Sequence, residues 1–450
     1  MKLAIDVRLR AALIAILFVV AACAVAPTAI NAPVNLVVWV DNPAIGASIR
    51  QRIIPFERDH PNIQIKVFDQ LGKIRNGDVS TAIEALNDSE LAPDVIALSD
   101  SDIALMSNPN DLMNLSPYII QQSDFHLDDF FPTVLSDFQV RGRQLAIPSE
   151  IVPWVIFYNK QMFNTAKVSF PSLDWTTSEF VSDAQRVQRG TSAKQSTIGF
   201  VTDPTQAFLA FTETYGVQPQ SGVDDPYAHW LDDPQTIAAM QWFADLGLRQ
   251  RIMPTEIGNR SVGLWFAGRA AMTGMFMDQR EQLPAYMQRN LSSLTPTVTA
   301  SPVPPAGWKF PWGVTMVPKA TVRSSIYYVS GYGISQTSHD PDNSWLLVDY
   351  LTGHLPEQTG HAYVPARESL AYSKAFAQLY PETGRQAYIQ SIQEGQRIPA
   401  WPPGAQITQA DLQNILLGTQ HAANGLHAIR DRIQPVLATQ VTPVPTPLGG

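Results

Sequence analysis

Leu36-Val37-Val38-Trp39-Val40, Ile63-Gln64-Ile65-Lys66-Val67 and Asp94-Val95-Ile96-Ala97-Leu98 are three strand-length runs separated by segments of helical period. The first is continuously apolar, as a strand covered on both faces must be, and the second alternates as a half-buried strand does. Between them Ile45, Ile49, Ile53 and Phe56 recur close to helical spacing, and Val79 to Leu86 reads as a second helix. Pro55 falls inside the first helix and is expected to kink or divide it. The resulting β-α-β-α-β order is that of a doubly wound α/β lobe. In such sheets ligands bind beyond the carboxyl ends of the strands. Trp39, Asp41 and Asn42 after the first strand, and Asp100 and Asp102 after the third, are therefore candidate ligand contacts.

The same alternation continues along the chain, whose 450 residues are enough for two or three domains. Charged residues make up only 16% and there are 35 prolines, a balance that excludes a long coiled coil and a disordered polyelectrolyte. The net charge of -9 and the lack of any Lys/Arg block argue against nucleic acid as a partner. At the N-terminus, Lys2, Arg8 and Arg10 precede the apolar run Ala11 to Val20 and the small residues Ala21 and Ala22, the pattern of a signal peptide over residues 1–22. That run is too short for a bilayer-spanning helix, which needs about 20 apolar residues. Its removal leaves 28 basic and 39 acidic residues, a net charge of -11. Cys23, the single cysteine, follows directly, so no internal disulfide can form. Residues 24–35 are small and uncharged and read as a tether, while 438–450, with three prolines and no charge, read as an extended tail.

Several motifs in order carry a resemblance. Phe56-Glu57-Arg58-Asp59-His60-Pro61-Asn62-Ile63, Pro93-Asp94-Val95, Asn114-Leu115-Ser116-Pro117-Tyr118-Ile119, Leu145-Ala146-Ile147-Pro148 and Val155-Ile156-Phe157-Tyr158-Asn159-Lys160 are followed by Asp174-Trp175-Thr176 and Phe180. Phe266-Ala267-Gly268-Arg269-Ala270-Ala271-Met272, Tyr328 to Gly353 and Val364-Pro365-Ala366-Arg367 complete the series. Together they resemble the extracellular solute-binding proteins of family 1, the maltose-binding-protein-like receptors of ABC importers. Val20-Ala21-Ala22-Cys23 likewise resembles a bacterial lipobox, which implies a lipidated Cys23 as the mature first residue. The family resemblance implies the α/β, two-lobe periplasmic-binding-protein fold of type II, with discontinuous lobes joined by a hinge. From the motif positions, residues 36–150 and 328–365 form the N-terminal lobe and 151–327 with 366–437 the C-terminal lobe, with crossings near 148–153, 327 and 365.

The resemblance implies a receptor that captures a carbohydrate, an oligosaccharide or a glycoside, in a cleft between the lobes and delivers it to ABC permease subunits. Such a protein works as a monomer outside the cytoplasm, held to the membrane by its lipid, without cofactor, metal or catalysis. A sugar cleft needs aromatic platforms for apolar ring faces and carboxylates or amides for hydroxyls. Besides the strand-end residues, Glu150 and Trp154 at the first crossing and Tyr332 at the second are candidates. Trp312, Trp308 and Trp401 stand on Pro/Gly-rich loops, where ligand contact and loop anchoring are equally expected. The family usually places Gly and Trp after the Ala-Ala-Met segment. This chain has Thr273-Gly274-Met275-Phe276-Met277, so the ligand-facing aromatic is Phe276 or is absent. Trp175, Trp242 and Trp345 read as packing.

Other readings remain. A receptor for a polyamine, a phosphate ester or iron would share the fold, and adjacent Tyr327 and Tyr328 near a hinge are the pattern of iron-binding relatives, although neighbours in a strand face opposite sides. A glycoside hydrolase needs only two carboxylates, and a sensor or scaffold lipoprotein needs none. No G-x-S-x-G, H-E-x-x-H or P-loop is present. Asp100-Ser101-Asp102 starts like a calcium loop, but Ile103 and Ala104 follow where oxygen ligands should stand.

Overall fold

The computed structural model describes residues 33–191, 197–219, 228–254, 259–279, 310–355, 362–380 and 384–438. The leader, Cys23, the tether to residue 32, Trp308 and the tail from residue 439 lie outside these residues. Parallel strands β1 (Val34–Trp39), β2 (Ile63–Phe68) and β3 (Val95–Ser99) begin the fold, with β1 between the other two. Helix α1 (Pro43–Asp59) connects β1 to β2, and α2 (Val79–Leu86) lies between β2 and β3. Asn42 starts α1 by accepting the amides of Ala44 and Ile45 at 3.0 and 3.1 Å, with Pro43 at the first helical position where its missing N–H costs nothing. Of the two effects expected of Pro55, a kink or a division, division does not occur: α1 runs unbroken. One backbone bond is forgone there, and the buried stripe of Ile49, Ile53 and Phe56 on either side holds the helix to the sheet.

Helix α3 (Asp100–Leu105) follows β3, and α4 (Pro132–Ser136) precedes the long strand β4 (Ala146–Asn159), all 14 of whose residues are buried. Beyond it come α5 (Thr177–Thr191), β5 (Ile198–Thr202), α6 (Pro204–Thr214), α7 (Pro234–Leu248), β6 (Ala270–Phe276) and β7 (Trp312–Thr315). Strand β8 (Ile326–Ile334), α8 (Pro341–Gly353), β9 (Val364–Pro365), α9 (Gln386–Gln393), β10 (Gln396–Arg397), α10 (Gln409–Leu416) and α11 (Ala422–Ala438) complete the chain. Among the described residues these strands form a ten-stranded sheet ordered β2-β1-β3-β8-β4-β6-β5, with β7 and β9 also on β4 and β10 also on β8.

Two strands are common to both halves of this sheet. β4 pairs antiparallel with β8 from Ala146 to Pro153 and then with β6 and β7 from Trp154 to Asn159. β8 pairs with β10 at Ile326 and Tyr327 and with β3 from Ser330 to Ile334. Pro148 and Pro153 sit inside β4, positions that ordinarily demote a strand. Pro148 falls where the register with β8 shifts between Ser330 and Gly331, and Pro153 falls where β8 gives way to β6 and β7. Arg367, just past β9, is held between the rings of Phe125 and Phe130 at 4.8 and 4.4 Å and donates to the Phe125 carbonyl, tying that connection to the β1–β3 half.

In the other half the Trp154 indole lies across Gly274, packed edge-on against Phe211 of α6. A Cβ at residue 274 would come within 2.2 Å of the indole, so only glycine admits this ring. Gly274→Ala should lower unfolding stability by about 1–3 kcal/mol in a urea titration, the range for overpacking a core. Gly353→Ala, where a new Cβ meets nothing within 4 Å, is the control and should stay within about 0.5 kcal/mol of the parent.

Candidate functional site

The carboxyl ends of β1 and β3 lie side by side and gather charge. Asp102 accepts the Ser99 amide and hydroxyl at 2.8 and 2.7 Å, a capping box that starts α3. Its other oxygen pairs with Arg75, whose second guanidinium nitrogen is 3.1 Å from Asp41. Two carboxylates thus hold one arginine beyond the strand ends. Partial burial pushes the Asp41 carboxyl up despite Arg75, and Asp102 pushes it the same way. Asp41 and Asp102 were singled out by strand position. Arg75 was not, because it lies seven residues beyond β2 in a turn that carries no strand signal.

Strand β8 changes partner at its middle, leaving β10 after Tyr327 and joining β3 at Ser330. Asp100 plugs this seam. Its side chain is 1% exposed, one oxygen takes the Val329 amide at 3.5 Å, and the other has no partner. Asp137, at the end of α4, also keeps one buried oxygen without a partner and stands 3.6 Å from Arg397 of β10. The Tyr327 hydroxyl lies between Asp137 and Thr133. Burial, reinforced by Asp137, pushes Asp100 up to about 7, and burial pushes Asp137 up to about 6 although Arg397 opposes it.

Tyr328 and Tyr332 stand at even steps along β8 and Tyr327 at an odd one, so the adjacent tyrosines face opposite sides. Tyr328 is half-buried, donates its hydroxyl to Asp278 at 2.6 Å and meets Phe276 edge-on at 5.2 Å. The two tyrosine hydroxyls are therefore held by different carboxylates. Among the described residues no group of three His, Cys, Asp or Glu is placed to hold a metal ion. Tyr332 is buried and accepts a hydrogen bond at 3.1 Å from Arg52 of α1, which also pairs with Glu150 at 2.9 Å and donates to the Leu351 carbonyl. Glu150 pairs across the ladder with Ser330. A buried carboxylate is tolerable only with such a partner.

The other candidates differ in exposure. Trp39 is fully enclosed: its indole N–H donates to the Leu91 carbonyl at 2.7 Å and its ring meets Phe68, which is core packing. Trp154 is equally enclosed, and Asn42 is occupied as the cap of α1. Trp312 is half-buried against Phe157, and Trp401 is half-buried beside Trp230. The loop carrying Trp401 reaches the loop of Arg75: a Cβ at Gly77, whose φ is +88°, would lie 3.0 Å from Pro403. Strand ends of one half and a C-terminal loop of the other thus meet here. Sequence reasoning missed Arg52, Arg75, Asp137, Asp278 and Arg397. Of these only Asp278 had a signal, as the first charged residue after the Ala-Ala-Met strand.

Arg52→Met would leave the Glu150 carboxylate without its guanidinium. Unfolding stability at neutral pH should fall by about 3–5 kcal/mol. Arg58→Met on the same helix, at a side chain 73% exposed, should change it by less than about 0.5 kcal/mol.

A family model described as bacterial extracellular solute-binding protein matches residues 40–354. No curated protein matches significantly. Among solved structures, the chain is similar to the sugar-binding protein MalE from Xanthomonas citri, with TM-score 0.69 and 16% identity over 90% of this chain and 98% of that one. It is similar to an ABC substrate-binding protein from Listeria monocytogenes in complex with cycloalternan, with TM-score 0.66 and 16% identity over 90% and 99%. UgpB from Mycobacterium tuberculosis in complex with glycerophosphocholine gives TM-score 0.65 and 17% identity over 92% and 100%. At these identities the likeness establishes the two-lobe type II fold alone.

Proposed function

The chain belongs to the bacterial extracellular solute-binding protein family, and from that premise we propose that it is the receptor of an ABC importer for a carbohydrate, an oligosaccharide or a glycoside, and performs no chemistry. The family binds small solutes outside the cytoplasm and works with ABC permeases. The observation that carries the sugar reading is the grouping at the junction of the lobes: half-buried Tyr328, backed by the buried Phe276 and Asp278, forms an aromatic pair with a carboxylate at its edge. An aromatic face for a sugar ring and a carboxylate for its hydroxyls is the chemistry such a ligand requires. Asp41, Asp102 and Trp401, all with part of their surface open, supply the same two kinds of group from the opposing loops. Trp312 is a further half-open ring.

A phosphate ester is less well served. Recognition of phosphate calls for an arginine fork, and Arg75 and Arg52 are each committed to carboxylates. Neighbours of similar fold include both a sugar receptor and a glycerophosphocholine complex, so the choice rests on these side chains. In a thermal-shift panel of neutral oligosaccharides, polyamines, glycerophosphodiesters and ferric ion, at least one oligosaccharide should raise the melting temperature. At a hundredfold excess over Kd the native state gains about 2.7 kcal/mol. A shift with the phosphodiesters alone would replace the sugar by that class.

We also infer that Cys23 carries a lipid which, with the uncharged tether after it, holds a monomeric receptor at the membrane. No described helix is long and apolar enough to cross a membrane. Expressed with its leader in a bacterial host, the parent should partition into the detergent phase. Cys23→Ser should appear in the aqueous phase, and an unchanged distribution would dismiss the anchor.

A further inference from the structure

We propose that Arg432 of α11 is a positioning residue for ligand binding: its guanidinium fixes the loop that carries Trp401, and through that ring it raises affinity for the ligand. The affinity step rests on the carbohydrate reading given above, whereas the positioning step stands without it.

Residues 398–408 connect β10 to α10 with no helix or strand ladder to hold their backbone. Such a loop has to be fixed by side chains. Arg432 grips Asp411 through Nε and Nη2 at 2.9 and 2.8 Å, while Nη2 also donates to the Gln406 carbonyl at 2.8 Å and Nη1 to the Gly404 carbonyl at 3.1 Å. Asp411 in turn accepts the Thr408 amide and hydroxyl, both at 2.7 Å, which closes the far end of the loop onto α10. The Gln406 side chain carries the connection back to the tryptophan. Its Oε1 accepts the Gly404 amide at 2.9 Å and its Nε2 donates to the Trp401 carbonyl at 3.4 Å. A continuous set of bonds thus runs from the guanidinium to the backbone of Trp401.

The half-buried Trp401 ring lies 6.1 Å from that of Trp230, on the 3-10 turn His229–Asp232, and Arg430 of α11 pairs with Asp232 of the same turn. One helix therefore holds the backing of the ring through Arg430 and the backbone of the ring through Arg432. From the same loop Pro403 packs against Gly77, two residues past the arginine that Asp41 and Asp102 share. Any shift of the loop moves Trp401 relative to those two carboxylates. Ring stacking is a short-range contact, and a loop already ordered avoids the entropy cost of ordering it on binding. Lysine cannot replace Arg432, since an ammonium lacks the planar fork that holds a carboxylate and two carbonyls in fixed directions.

The positioning step is tested without ligand on the full chain labelled with 5-fluorotryptophan, where W401F identifies the fluorine line of Trp401 among the ten tryptophans. In R432K that line should shift and broaden. In R249K, the same exchange at a side chain 73% exposed, it should stay in place. A urea titration of each variant separates a moved loop from a lost fold. An R432K protein that folds as the parent does and keeps the parent's Trp401 line overturns the proposal.

The affinity step is read by isothermal titration with the oligosaccharide that gives the largest melting shift in the panel above, maltotetraose being the first tried. W401A and R432K should each weaken its binding about three- to tenfold. Added to W401A, R432K should weaken it further by less than about twofold, because the ring it positions is gone. An arginine that merely stabilises the fold would act equally in both backgrounds, and that result overturns the proposal. So does a W401A or R432K protein that binds as tightly as the parent. If no panel saccharide binds, it is the carbohydrate reading that fails, and the fluorine line decides the positioning step on its own.

Discussion

The antiparallel ladder of β4 and β8 is the constraint on which the rest of the structure depends. Every residue of β4 is buried, and the strand passes from a partnership with β8 to one with β6 and β7 without leaving the sheet. A lobe built on its own would end in an exposed strand edge with unpaired amides and carbonyls. Here each lobe's edge is completed by strands that also belong to its neighbour. The lobes cannot separate without breaking this ladder, yet they can rotate about it, since a few connector residues suffice to absorb such a motion. The topology thus joins the two halves of the sheet through one shared ladder.

Charge at the floor and walls is arranged so that few full charges are free. Arg75 lies between Asp41 and Asp102, Arg52 between Glu150 and the Tyr332 hydroxyl, and Tyr328 donates to Asp278. Each pair holds its partner's geometry more than it contributes stability, since desolvation offsets much of the Coulomb gain for buried pairs. For the carbohydrate receptor proposed above this is useful. Carboxylates held in fixed positions are suited to bonding hydroxyls, while paired arginines offer little to a competing anion.

How much of this was legible in the sequence depends on the range of the contact. β1, β2, β3 and the helices between them could be read because burial imposes a local period, and the strand-end rule then located Asp41, Asp100 and Asp102. Strand β4 was harder, since Pro148 and Pro153 argue against a central strand until the register shift and the change of partner are seen. Trp39 and Trp154 show the limit for aromatics. A tryptophan at a strand end suits a cleft or a core equally, and only the Leu91 carbonyl, and the space above Gly274, decide that both rings are enclosed. Arg397 had no local signal at all. Its meeting with Asp137 depends on a two-residue strand joining β8, a pairing that sequence periodicity cannot announce.

The residue that best unites these points is Asp100. Strand position made it a ligand candidate, whereas the structure encloses it with one oxygen unsatisfied. Such a residue is retained at a cost, and an apolar side chain of similar size would pack more stably there. A receptor must release what it captures, so the closed form cannot be too stable relative to the open one; a ligand shifts that equilibrium only by its differential affinity for the two states. The fold thus places a buried carboxyl with one unsatisfied oxygen at the start of α3, against the middle of β8, the strand that both halves of the sheet share.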